Sequence, residues 1–297
     1  MVIPIDSHVH LYPPEVNRDP AAWAAAQGEE PWAVLATRRR RDGRSVQGFP
    51  DVTSLLDAMD AAGVERAVLQ GWYWQRAASC VLQNRFYREC VRAHPDRLSA
   101  CATLHPAAGS AAVAAELRAA RDDGLCGLGE LSPHAQGYAP DDPVFGEALA
   151  LAGDLRFPVS LHVSDPGGRG YPGRVATPLA DFVRLADAFP AVHFVLAHWG
   201  GRLPLVEPAA AARANLYYDT AASPLLYDAA IWSRFAGAVG PGRILFGSDF
   251  PLNLYPGLES GPELKRLVAE VRDAGLAPDT LAGILRGNAL KLFCNAA

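Results

Sequence analysis

Short apolar runs recur along this chain, and each is followed by a stretch with helical spacing. Val2-Ile3-Pro4-Ile5 opens the first run. Others lie within 64–70 (Ala67-Val68-Leu69), 98–104, 125–130, 157–162 (Pro158-Val159-Ser160-Leu161), 192–198, 215–220 and 244–249. Their length and apolar character predict buried strands. Between them the spacing predicts helices over 52–62, 79–93, 110–122, 143–153, 178–189, 203–214, 225–239, 261–274 and 278–293. In the first of these, Leu55, Leu56 and Met59 share one face, and Gly63 follows as a C-terminal cap.

Strands alternating with helices imply parallel pairing through right-handed crossovers. Eight such units in about 250 to 300 residues predict an α/β fold, a closed (β/α)8 TIM barrel, as one domain over residues 1–297. An open doubly wound sheet is the rival, and it would carry a glycine-rich phosphate loop after its first strand. Here the first strand runs into Asp6-Ser7-His8-Val9-His10 instead. The rhythm is broken once, by residues 11–50, which are rich in Pro, Trp, Arg and Ala and carry helical spacing only near 21–27 and 31–38. So long an irregular stretch after a strand end predicts a lid-like insertion over the barrel mouth, serving substrate binding more than folding.

Composition narrows the classes. Half of the 297 residues are hydrophobic, yet no run approaches the roughly 20 apolar residues of a membrane span. No basic head or cleavage site precedes the first strand, so a cytoplasmic setting is expected. A net charge of −5 argues against nucleic acid as a partner. The five cysteines are scattered without Cys-x-x-Cys spacing and read as small buried apolar residues. The expected partner is a small-molecule substrate, with room for a homodimer.

Active sites of such barrels lie at the C-terminal ends of the strands. Strand one ends in His8 and His10, strand four in Glu130, strand five in His162, strand six in His198-Trp199-Gly200-Gly201, and strand eight in Gly247-Ser248-Asp249. Alternation along the first strand puts Asp6, His8 and His10 on one face. Paired imidazoles so placed suit a divalent metal, because neutral imidazole is the commonest protein metal ligand. Trp72 and Trp74, flanking Tyr73 after strand two, are candidates for an aromatic pocket wall or for packing under the lid. His105 and His134 follow strands three and four and are candidates for substrate binding or for the solvated rim. Arg38–Arg41, Arg169 and Arg174 are weighed between a carboxylate-binding role and solvated surface.

The constellation resembles the amidohydrolase superfamily, in particular its amidohydrolase-2 branch of aminocarboxymuconate-semialdehyde-decarboxylase-like proteins. The matching residues are Asp6-Ser7-His8-Val9-His10, Met59-Asp60-Ala61-Ala62-Gly63-Val64, His162, His198-Trp199-Gly200-Gly201, Gly247-Ser248-Asp249-Phe250-Pro251 and Gly287-Asn288-Ala289-Leu290-Lys291-Leu292-Phe293. The resemblance implies that His8, His10, His162 and Asp249 ligate a catalytic divalent ion. It makes His198 a ligand of a second ion or an acid/base group beside the first. Glu130 departs from many decarboxylase-like members. It is either a ligand, as the strand-four glutamate is in TatD-like hydrolases, or a partner that orients an imidazole. One or two ions are expected, zinc first and manganese or another divalent ion otherwise.

The function expected is that of a metal-dependent hydrolase attacking an ester, lactone or amide with metal-activated water, Asp249 serving as base and His198 assisting. The alternative is a non-oxidative, metal-dependent decarboxylase of a small aromatic or unsaturated carboxylic acid. A non-catalytic binding barrel is the third reading, and the full ligand set argues against it.

Overall fold

The computed structural model describes residues 2–294. Eight parallel strands follow one another around a single sheet: β1 (Ile5–Val9), β2 (Arg66–Leu69), β3 (Leu98–Ala102), β4 (Gly127–Leu131), β5 (Val159–Leu161), β6 (Phe194–Leu196), β7 (Leu216–Asp219) and β8 (Ile244–Leu245). Residues beyond the short β8 close the ring against β1. The Ser7 N–H donates to Phe246 O at 2.8 Å, the Asp249 N–H to His8 O at 2.9 Å and the His10 N–H to Phe250 O at 2.6 Å. Helices alternate with the strands, so the fold is the (β/α)8 barrel.

Alternation sorts the side chains. In β6, Phe194 and Leu196 join the large apolar cluster shared with the helices, whereas Val195 belongs to a second cluster with Ile5, Val68, Cys101, Tyr217 and Leu245. Ala289, Leu292 and Phe293 of the last helical segment seal that second cluster. The helices start and stop where local chemistry dictates. Over Val52–Ala62, the Asp51 carboxylate accepts the Ser54 N–H at 2.8 Å, and Gly63 takes the left-handed cap at φ 68°. The C-terminal segment differs from the single helix expected over 278–293. A regular turn over Pro278–Ala282 gives way to wider π-type turns over Gly283–Gly287 and Leu290–Cys294. Asn288, itself helical in conformation, joins the two, its side chain donating to Pro241 O and Ile244 O.

The insertion after β1 folds as three short helices, Pro14–Arg18, Pro20–Gln27 and Glu30–Ala36, followed by a strap over 37–48. An aromatic cluster of Tyr12, Trp23, Trp32 and Trp74 fills its underside. The fully buried Glu29 ties it to the loop after β2 by accepting the backbone N–H groups of Gln75 and Arg76. The strap runs beside the segment that follows Asp249: Gly48 N–H donates to Pro251 O at 3.0 Å, and Asn253 N–H to Val46 O at 2.9 Å. All five cysteines are free, four of them buried. No helix among the described residues is long and apolar enough to cross a membrane.

Candidate active site

Two departures from regular pairing shape the catalytic end. The register of β1 against β2 shifts between Asp6 and Val9. Ile5 and Val9, four residues apart, accordingly fall in different apolar clusters. Strict alternation therefore does not carry Asp6 onto the face of His8 and His10. The Asp6 carboxylate instead accepts the N–H groups of His8 (3.1 Å) and Ser248 (2.9 Å), joining the start of the site to its last strand. In β4 the register shifts between Leu128 and Leu131, and both leucines enter the outer cluster. The intervening Glu130 is turned inward by that change of parity. Gly129 makes the shift feasible: a Cβ there would lie 2.4 Å from Ser160 O, at φ 130°.

Six side chains converge as two triads, His8–His10–Asp249 and Glu130–His162–His198. His8 Nε2 lies 3.0 Å from His10 Nε2, and Asp249 Oδ1 is 3.5 Å from the latter. His162 Nδ1 is 3.1 Å from Glu130 Oε1 and 3.3 Å from His198 Nε2. Glu130 Oε2 reaches back to within 3.7 Å of His10 Nε2, linking the triads.

The far nitrogens of three imidazoles are each occupied by an acceptor. His8 Nδ1 faces Asp219 Oδ2 at 2.8 Å, His10 Nδ1 faces Gln70 O at 3.0 Å, and His198 Nδ1 faces Ala221 O at 3.1 Å. Each partner accepts from Nδ1 and turns Nε2 inward. Two inward Nε2 atoms 3.0 Å apart, with carboxylates beside them, form a donor set that a divalent cation satisfies in place of the proton that Asp219 favours on His8. The residues present fit such an ion.

The electrostatics follow from burial against charge. Burial, with His8 beside it, pulls His10 down to about 3, and burial with His162 pulls His198 down to about 4. Burial also acts on His8, but Asp219 outweighs it and raises that imidazole to about 10. Burial lifts Asp249 well above the usual carboxylate range and Asp6 to about 6. It works against the Glu130 charge too, yet His162 and His8 hold that carboxylate low.

Above the cluster opens a cavity of about 500 Å³. Its walls include Trp72 and Tyr73, stacked at 4.4 Å, and, from the insertion after β1, Leu35, Arg38, Arg40, Val46 and Gln47. Arg38 spans the mouth with its guanidinium 4.9 Å from the Tyr171 ring. Arg169 and Arg174 also line it. Of the four substrate-binding candidates, Trp72 alone is a lining residue. Trp74 is packed in the aromatic cluster beneath the lid. His105 caps a short turn through the Ala107 N–H and reaches Gln136 O. His134 pairs with Asp181 at 2.7 Å. Local partners thus hold these three away from the cavity wall. Asp219 is a site residue that sequence reasoning misses, although Tyr218-Asp219-Thr220 ends the seventh strand and obeys the same rule as the others.

Among solved structures, the fold is similar to that of a 5-carboxyvanillate decarboxylase from Sphingomonas paucimobilis, at 20% identity over 99% of both chains and a TM-score of 0.73. A 2,6-dihydroxybenzoate decarboxylase from Rhizobium matches at 20% identity, 99% of both chains and a TM-score of 0.68. A 5-carboxyvanillate decarboxylase from Novosphingobium aromaticivorans, in complex with manganese and 4-hydroxy-3-methoxy-5-nitrobenzoic acid, matches at 14% identity, 98% of this chain, 96% of that chain and a TM-score of 0.76. No curated protein matches the sequence. Residues 5–294 match the amidohydrolase family profile, and the chain therefore belongs to the amidohydrolase-2 family of enzymes.

Proposed function

We propose that this enzyme is a metal-dependent, non-oxidative decarboxylase of a small hydroxylated aromatic carboxylic acid. The observation that carries the reading is the union, in one cavity, of a divalent-ion donor set with a flat aromatic wall and a cationic rim. Trp72 and Tyr73 offer planar surface to an aromatic ring. Arg38, which donates to Leu35 O and overlies the Tyr171 ring, offers charge to an anionic group. The fold's likeness to hydroxybenzoate-type decarboxylases supports the same substrate class. Manganese is the first ion to test, since three of the similar structures contain it, and zinc is the alternative.

A bound divalent ion would supply positive charge against the substrate's carboxylate and adjacent hydroxyl. His8, His10, His162 and Asp249 would hold it, with Glu130 and His198 alongside. Decarboxylation breaks the bond between the ring and the carboxylate carbon. Carbon dioxide leaves, and the electron pair left on the ring carbon takes up a proton. Asp249 Oδ2 carries that proton in this reading: its sister oxygen faces His8 and His10, while Oδ2 faces His198 Nδ1 at 3.8 Å.

A second reading, hydrolysis of an ester, lactone or amide, is favoured by Glu130, whose contact with both triads suits a site holding two ions. One panel separates the two. Manganese-loaded enzyme is offered hydroxybenzoates, carboxylated methoxyphenols, lactones and aryl esters in deuterated water. Release of carbon dioxide with deuterium at the vacated ring carbon is expected. Acid release from a lactone or ester, with no carbon dioxide from any acid, would overturn the decarboxylase reading.

A further inference from the structure

The turn that carries His198 is held in a conformation that L-residues avoid. His198, Trp199, Gly200, Gly201 and Arg202 all have φ between 56° and 65°. The two glycines take it freely, and nothing larger fits. A Cβ on Gly200 would lie 2.7 Å from the Tyr218 ring, and one on Gly201 would lie 3.0 Å from Val163 Cγ1. The other three residues carry a Cβ and hold this shape only because their surroundings over-determine it.

Three anchors do so. The His198 N–H donates to Asp219 Oδ1 at 3.0 Å. The Trp199 indole donates to Ser223 Oγ at 3.0 Å and packs on Trp232. Beyond the glycines, Arg202 grips Asp165 with both arms, Nε to Oδ2 at 2.6 Å and Nη2 to Oδ1 at 3.0 Å. Asp165 is buried and also accepts the Gly167 N–H (2.8 Å) and the Tyr227 hydroxyl (2.9 Å). Four donors converge on one carboxylate, close to its full capacity. They come from the loops after β5, β6 and β7, so a single side chain ties three neighbouring loops at the catalytic end.

We infer that Asp165 is a positioning residue: by clamping Arg202 it holds the left-handed turn that aims His198 Nε2 at His162 and Glu130 in the donor cluster. The inference rests on the proposed reading only in taking that cluster as a metal site. Arg202 supplies the other half of the clamp.

The test uses Asp165→Asn and Arg202→Gln, singly and together, with Arg202→Lys as the conservative variant, all in the full chain. The first readout is the His198 side chain in protein labelled with isotopic histidine and free of metal. Its Nδ1–H, facing Ala221 O, should give a protected resonance in the wild type. That protection should be lost in Asp165→Asn and Arg202→Gln and partly kept in Arg202→Lys. The second readout is manganese titration of the metal-free protein, where each single change should weaken binding about 10-fold or more. The double variant should be no weaker than the weaker single, because both changes break one contact. An unchanged His198 resonance with affinity within threefold of wild type in both singles would overturn the inference, as would losses that add in the double. Should Asp165→Asn fail to fold, Arg202→Gln against Arg202→Lys decides the question at a partly exposed side chain. Neither readout uses turnover, so an error in the assigned reaction would appear separately, in the substrate panel.

Discussion

Asp219 Oδ2 lies 2.8 Å from His8 Nδ1, while its Oδ1 accepts the backbone N–H groups of His198 and Ala221. One carboxylate thus fixes the tautomer of an imidazole from the first strand and the backbone of an imidazole from the sixth. Asp219→Asn keeps the volume but offers one acceptor oxygen where two are used. Metal affinity is expected to fall about 10- to 100-fold, measured by manganese titration of the metal-free protein. Affinity equal to wild type would remove Asp219 from the support of the site.

Asp249→Asn tests the proton carrier. The amide preserves shape and some ligating capacity, but it carries no proton of suitable acidity. Turnover is expected to fall about 100-fold or more, with metal content checked in the same sample and folding intact. Activity within a few-fold of wild type at full metal loading would sink the assigned role.

Much of this site is legible in the strand ends because barrels present chemistry there and because His and Asp are costly to bury without partners. That rule alone singles out His8, His10, Glu130, His162, His198 and Asp249. Asp219, at the end of the regular β7, obeys the same rule and is overlooked all the same, while the other misses depend on irregular backbone. The parity changes in β1 and β4 leave no mark in hydrophobic spacing, so alternation groups Asp6 with His8 although it serves backbone amides instead. Trp72 and Trp74 are two residues apart and indistinguishable by composition. Only the path of the chain sends one to the cavity and the other beneath the lid.

That pair makes a prediction of its own. Trp74→Ala empties a fully buried site and should cost about 3–5 kcal/mol of stability, read by urea denaturation. Trp72→Ala should act chiefly on KM for an aromatic acid. A KM effect confined to Trp74→Ala would mean that the cavity wall has been misassigned.

Arg38→Gln keeps a polar, uncharged hydrogen-bonding group on a shorter side chain and removes the charge at the mouth. KM for an anionic substrate should rise about 10-fold or more, as when a hydrogen bond to a charged group is lost, with kcat changed far less. Equal KM values for acidic substrates in the two proteins would place Arg38 outside substrate recognition.

Gly129→Ala probes the backbone that delivers Glu130. Its Cβ would meet Ser160 O at 2.4 Å, and the φ of 130° adds strain. The expected loss is about 3 kcal/mol or more, seen as a lowered urea midpoint with weakened metal binding. Wild-type stability would show that β4 can carry its carboxylate in a regular register.

The strap over 37–48 is bonded to Pro251 and Asn253, immediately after Asp249. Lifting it would drag the very carboxylate that the cluster needs, so this side of the cover works as a fixed roof. At the start of the same strap, Arg38 overlies the Tyr171 ring of the loop after β5, and Leu35 lies so near Gly173 of that loop that a Cβ there would meet it at 2.8 Å. The cover therefore meets the loop after β5 through contacts separate from those that tie it to the segment behind Asp249.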